Sequence, residues 1–173
     1  MILETSRLQL RTLTLEDAGF VLRLLNEPSF IQNIADRGVR TIEQAQDYIR
    51  NGPMASYEKF GFGLWLVETR SENVPIGICG LIKRDVLDDV DIGYALLPEF
   101  WSQGYALESA SGVMSYAATK LGVDRVVAVV NPSNAPSIHL LEKMGFQFER
   151  MVRLSDDAPE IKLFAGETPR QST

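Results

Sequence analysis

The stretch "PEFWSQGYALESA", residues 98–110, joins two segments with opposed conformational habits. Pro98 to Gly104 reads as a turn with an aromatic, a polar pair and a glycine, whereas Tyr105 onward is rich in helix formers. A helix that starts directly after such a corner exposes the N–H groups of its first turn and the positive end of its dipole. Two readings stand: the chain only needs a corner, or those amides are kept for an anion. Gly104 has no Cβ, so backbone there can approach a ligand closely, and Ala106 adds little bulk. Gln103 and Gly104 at a strand-to-helix corner therefore suit a phosphate or diphosphate.

Upstream of this corner lie three strand-like runs, "GFGLWLVET" (61–69), "VPIGICGLIK" (74–83) and "VDIGYALL" (90–97), separated by "RSEN" and the acidic "DVLDD". They predict an antiparallel meander. Downstream, Leu107, Ala110, Met114, Ala117 and Leu121 form a helical stripe, "RVVAVV" (125–130) is a short β-branched strand, and a helix over 134–144 ends at Gly145. Two further strands, "QFERMVRL" and "EIKLFAG", follow. At the other end "RLQLRTL" (7–13) alternates as a strand, and "TLED" from Thr14 opens a helix as a capping box. "TIEQ" from Thr41 opens another, stopped at "NGP" near Asn51, with residues 52–60 as a further short helix. The order β-α-α-β-β-β-α-β-α-β-β predicts an α/β (α+β) domain with one mixed sheet of about seven strands and helices on its faces. A single domain over residues 1–166 with a polar tail at 167–173 is expected.

Seventeen Lys and Arg against 23 Asp and Glu give a net charge of −6, which argues against a nucleic-acid footprint and suits a cationic or amine-bearing substrate. Cys79 is the only cysteine and sits in an apolar run, so it reads as a buried inert thiol and implies no oxidising compartment. With one His and one Cys, no metal site is expected. No apolar run approaches the ~20 residues of a membrane span, and "MILETSRLQLR" lacks the basic-then-apolar order of a signal peptide. A cytoplasmic protein is the expectation.

Taken together, "IGYALLPEFWSQGYALESA" and "NPSNAPSIHLLEKMGF" resemble the Gcn5-related N-acetyltransferase (GNAT) superfamily, in particular the branch with the ribosomal-protein N-terminal acetyltransferases. The matching wording is Asp91-Ile-Gly-Tyr94, Pro98 to Ala110, Asn131 to Ser137 and Glu142 to Phe146, and "TSRLQLRTLTLEDA" resembles the family's opening. Ser102 and Ser109 stand where the branch's wording has glycine and alanine. The resemblance implies a strongly bent sheet that splays between its fourth and fifth strands to hold acetyl-coenzyme A. It places the backbone of Ala95, Leu96 and Leu97 against the pantetheine arm, and the amides from Ser102 through Gln103, Gly104 and Tyr105 to Ala106 on the pyrophosphate. Asn134 and Ser137 would lie beside the pantetheine and the leaving thiolate, with Lys143 near the adenosine.

The implied reaction is direct attack of a neutral primary amine on the thioester, which needs a proton acceptor and help for the thiolate. Asp91 is the base candidate, acting through water; the other reading makes it a solvated carboxylate of the acidic run. Glu99 and Glu108 stand in reserve, Glu108 also as support for the new helix. Many superfamily members carry a tyrosine acid where this chain has Leu141, so Ser137 is the substitute, by hydrogen bonding or a water relay; its other reading is a satisfied hydroxyl near a helix start. His139 reads as an exposed helix residue, Tyr94 and Trp101 as packing near the cofactor, and Trp65 as core or acceptor wall. The acceptor is expected to be a peptide N-terminus or a small amine. Its site would lie between Pro28 and Phe60 and beside the Asp85–Asp89 loop, whose acids suit a cation. A coenzyme-binding module without catalysis is the alternative, with Leu141 as the hint, and a homodimer is compatible with families of this kind.

Overall fold

A computed structural model describes residues 1–170. Eight strands form one sheet in the order β1-β2-β3-β4-β5-β6-β8-β7. They are β1 (Leu3–Glu4), β2 (Leu8–Thr12), β3 (Leu64–Thr69), β4 (Pro75–Ile82), β5 (Val90–Leu96), β6 (Arg125–Val130), β7 (Gln147–Val152) and β8 (Ile161–Glu167). The strand beyond the seven expected is β1, two residues that fold back on β2. The six helices are α1 (Ala18–Leu25), α2 (Pro28–Asn33), α3 (Ile42–Ile49), α4 (Ala55–Phe60), α5 (Tyr105–Leu121) and α6 (Ala135–Lys143).

Every strand pair is antiparallel except β5–β6. That parallel pair is joined by the crossover through α5, as the short chain between them requires. Its register holds for only two steps, Val90↔Val126 and Asp91↔Val127, and then the strands part. This is the splay that the resemblance placed between the fourth and fifth of seven strands.

Two apolar layers sandwich the sheet. On one face α5 and α6 pack Ala110, Val113, Met114, Ala117 and Leu141 against strand residues including Trp65, Cys79 and Ile92. On the other, α1 to α3 bring Val21, Leu24, Leu25, Ala45 and Ile49 onto Leu66, Ile78 and Leu97. Trp65 is core: it is 1% exposed and meets Tyr116 edge-to-face at 5.2 Å. Cys79 is fully buried, and burial pushes its thiol up to about 12.

Three local expectations are corrected. Residues 28–33, to which the sequence pattern assigns no element, form α2, because Pro28 occupies its first turn where a missing N–H is harmless. "NGP" does not stop the helix from Thr41; Arg50–Met54 widen into a π-turn, which carries the chain past Pro53 into α4. The tail begins later than expected, because Glu167 is still in β8 and Thr168 bonds Val123 O and Asp124 O; residues 171–173 lie outside the described residues.

The capping box at Thr14 is present, with its amide donating to Asp17 Oδ2 at 2.8 Å. Asp17 is also one of two carboxylates, with Glu68, that share Arg11 Nη2 at 2.9 Å each. Burial would raise the Asp17 carboxyl, but Arg11 and Thr14 hold it below the ordinary range. Removing the guanidinium leaves two confined acids facing each other. Arg11→Ala is expected to lower the unfolding free energy by about 3 kcal/mol, read from the urea midpoint at unchanged m.

Candidate active site

The corner after β5 is a built amide nest. Leu97 leads into a 3-10 turn over Pro98–Phe100, and the chain then takes left-handed conformations at Ser102 (φ 60°) and Gly104 (φ 81°) before α5 begins. Serine holds here the conformation that glycine adopts freely. Among the described residues, the N–H groups of Ser102, Gln103, Gly104, Tyr105, Ala106 and Leu107 donate to no protein acceptor. The N–H groups of Gly104 to Leu107 are the open start of this 17-residue helix, and those of Ser102 and Gln103 extend the row.

Arg7 supplies a full positive charge beside them, and nothing in the sequence pattern points to it. Its guanidinium lies 4.4 Å from the Tyr105 ring centroid and donates to Gln103 O at 2.9 Å. A Cβ added at Gly104 would stand 3.2 Å from Arg7 Nη2. Glu108 holds the arrangement together: it accepts from Thr5 Oγ1 at 2.6 Å, from Arg7 N at 2.8 Å and from Arg7 Nε at 2.7 Å. Partial burial would raise its carboxyl, but these donors keep it below the ordinary range. Its role is to tie the chain's first strands to α5 and to aim Arg7. Glu99, the other reserve carboxylate, is exposed and pairs with Arg23.

Behind the nest runs a cleft of about 510 Å³ between β5, α2 and α6. Ala95, Leu96, Ser102, Gly104, Tyr105 and Ala106 line it from β5 and the corner. Asn134, Ser137 and Lys143 line it from α6. Leu97 and Gln103 do not: the Leu97 side chain is in the α1–α3 core, and the Gln103 side chain turns back to Glu99 O. His139 is exposed, as expected, and stands on the cleft wall.

The edge of β5 refines the three-residue backbone reading. Leu97 N–H donates to Ile76 O, so by alternation Ala95 also spends its backbone groups on β4. Tyr94 and Leu96 therefore face the gap, and Trp101 Nε1 donates to Leu96 O at 3.0 Å. Ala95 and Leu97 are corrected on this point: their backbone is committed within the sheet.

Tyr94 is more than packing. Its hydroxyl lies 2.7 Å from Ser137 Oγ, which bridges β5 to α6 across the cleft. Burial pushes the phenol up to about 12, despite its hydrogen bond with Ser137. Asn134 caps α6 by accepting from Ser137 N at 3.3 Å. Leu141 is in the core and lines neither main cavity.

Asp91 is neither solvated nor in the first cleft. Its side chain is 1% exposed, and Arg84 Nε donates to its Oδ2 at 2.7 Å. Its Oδ1 accepts no well-formed hydrogen bond among the described residues. Burial raises the carboxyl to about 6, against the opposing pull of Arg84 and a lesser one from the Val129 backbone. It sits at the last β5–β6 pair, where the strands begin to part. Asp85, Asp88 and Asp89 of the acidic loop line neither main cavity, and Asp89 pairs with Arg125 at 3.1 Å.

The fold, a mixed sheet that parts beside a cleft, recurs in known proteins. The acetyltransferase (GNAT) domain family matches residues 7–147. The N-acetyltransferase YoaA of Bacillus subtilis is 36% identical over 88% of this chain and 86% of its own length. The N-acetyltransferase p20 of Bacillus licheniformis is 32% identical over 87% and 85%. Among solved structures, RimL, a ribosomal L7/L12 α-N-protein acetyltransferase in complex with coenzyme A, superposes with a TM-score of 0.82 at 18% identity, covering 96% of this chain and 97% of that one. A GNAT-family acetyltransferase from Bacillus anthracis gives 0.80 at 22%, covering 97% and 99%. The chain belongs to the GNAT family and is an acyltransferase.

The tie between Glu108 and residues 5–7 has a direct readout. Glu108→Ala is expected to speed hydrogen exchange of the Arg7 amide and to destabilise the fold by about 1–2 kcal/mol.

Proposed function

We propose that the protein is an N-acetyltransferase that uses acetyl-coenzyme A, the family's donor, to acetylate a primary amine in a ternary complex. The observation that carries this reading is the run of unpartnered amides from Ser102 to Leu107 at the mouth of the cleft, with Arg7 beside it. Six donors, a helix dipole and one guanidinium suit a diphosphate in charge and hydrogen-bonding capacity. Tyr94 and Leu96 would pair the pantetheine as a strand is paired, Lys143 would meet the adenosine end, and Asn134 and Ser137 would border the thiol.

When bound, the coenzyme supplies an acetyl thioester whose C–S bond breaks as the amine's C–N bond forms. Asp91 takes the amine's proton on its carboxylate, directly or through one water, and a pKa near 6 leaves it ionised yet basic at neutral pH. The Tyr94–Ser137 hydroxyl pair steadies the charge on the departing sulfur and hands it a proton recovered from solvent. Leu141 is thus no argument for a module without catalysis, because a phenol reaches the site from β5 instead of α6.

Two outcomes check this. Wild-type protein should gain thermal stability with acetyl-coenzyme A, by mass action. Gly104→Asp should lose that gain while still folding, since Asp tolerates the left-handed region, and Gly104→Asn should keep most of it. Second, kcat/KM should fall as pH drops through about 6, because protonation removes the Asp91 base. Asp91→Asn should be about 100-fold slower and lose that limb.

A further inference from the structure

A second cavity, of about 400 Å³, lies on the opposite face of the sheet between the α3–α4 segment and β4. Its charge runs against that of the chain. Arg37, Lys59, Lys83 and Arg84 line it, and no acidic residue does, in a protein of net charge −6. Lys83 is occupied, since its ammonium donates to Leu87 O at 2.6 Å and to two further carbonyls of its loop. Arg37 and Lys59 pair with no carboxylate among the described residues; Lys59 Nζ only overlies the Phe60 ring at 5.0 Å. Arg84 gives its Nε to Asp91 and keeps its terminal nitrogens. The Tyr48 phenol also lines the cavity; burial raises its pKa while Arg37 and Arg84 pull it down, so both cations stand near its ring.

This cavity adjoins the reacting centre from the side away from the cofactor helix. Ile82 lines it and is the cross-strand partner of Asp91. Two residues on, and so on the same face, a Cβ at Gly93 would meet Ile82 Cδ1 at 3.2 Å and Leu64 Cδ2 at 3.3 Å, both from lining residues. Arg84 thus joins the cavity to Asp91 through a single side chain.

We propose that this cavity is the acceptor site and that the acceptor is anionic, an amine carrying a carboxylate close by, gripped by Arg37, Lys59 and Arg84. The inference rests on the acetyl-transfer reading and names its substrate class; the cationic acceptor expected from the Asp85–Asp89 loop is replaced. A carboxylate seated there meets, in Arg84, the same guanidinium that binds Asp91, whereas a polyamine or a lysine-rich terminus meets like charges. Free acidic amino acids and acidic peptide N-termini both carry this chemistry.

The test uses full-length protein with glutamate, spermidine and three amidated peptides: Ser-Glu-Asp-Ala, Ser-Gln-Asn-Ala and Ser-Lys-Arg-Ala. Without donor, glutamate or the acidic peptide should raise the melting temperature, and the cationic probes should not. With acetyl-coenzyme A, the acidic probe should have the highest kcat/KM; turnover of glutamate marks a small acceptor, and turnover of the peptide alone marks a protein N-terminus. Arg37→Gln should raise KM for the acidic probe by about tenfold while leaving KM for the donor unchanged. Arg37→Glu, at an exposed position that folding tolerates, should shift preference toward Ser-Lys-Arg-Ala. Preference for spermidine or the cationic peptide, or an Arg37→Gln enzyme with unaltered KM, would overturn the anionic site. Loss of donor binding with intact, Arg37-dependent stabilisation by glutamate would instead sink the transfer reading alone.

Discussion

β5 and β6 share two registered pairs and then separate, and most of what is distinctive in this molecule follows from that parting. An edge that opens inside a sheet leaves backbone donors and acceptors without partners, a state that buried strands otherwise avoid. Here the exposed groups belong to Tyr94 and Leu96, because Ala95 and Leu97 remain bonded to β4. The indole of Trp101 answers the Leu96 carbonyl, and the Tyr94 phenol crosses to Ser137. The gap is thus propped by side chains and left with a polar wall on which an extended amide can lie.

Electrostatics divides the two faces. On the α5 side, helix-start amides and Arg7 make a diffuse positive patch, held in place by the Glu108 carboxylate beneath it. On the α1–α4 side the positive charge is carried by side chains around Tyr48. Between them sits the buried carboxylate of Asp91, bound to Arg84 and with no well-formed hydrogen bond at Oδ1. Burial without full hydrogen bonding is what lifts this carboxyl above its ordinary value.

Much of the frame was legible from the residues. Alternation and turn composition place β3, β4 and β5 within a few positions, and the stripe from Leu107 to Leu121 marks α5 to its last residue. The corner at 98–104 is legible because glycine and a fresh helix are both local signals. What could not be read is whatever depends on long-range approach. Arg7 meets Glu108 across 101 residues, and Tyr94 meets Ser137 across 43, with no periodicity to announce either. Arg84 is only seven residues from Asp91, yet it is the hairpin register, not the spacing, that turns one toward the other. The π-turn at Arg50–Met54 escaped for a related reason: a proline ordinarily ends a helix, and only packing of Pro53 into the interior makes the exception.

By itself, then, the sequence determined the order of the elements from β3 to β8, the family and the helix start that offers its amides, since these rest on local conformational preference and contiguous wording. Tertiary structure decided which face of β5 each residue serves, that Asp91 is buried and not solvated, and that the Tyr94 phenol meets Ser137 while Leu141 packs into the core. It also decided the sign of the second cavity, because charge at a site is set by which side chains converge there and which are already paired. Convergence is a property of the folded sheet, and no count along the chain contains it.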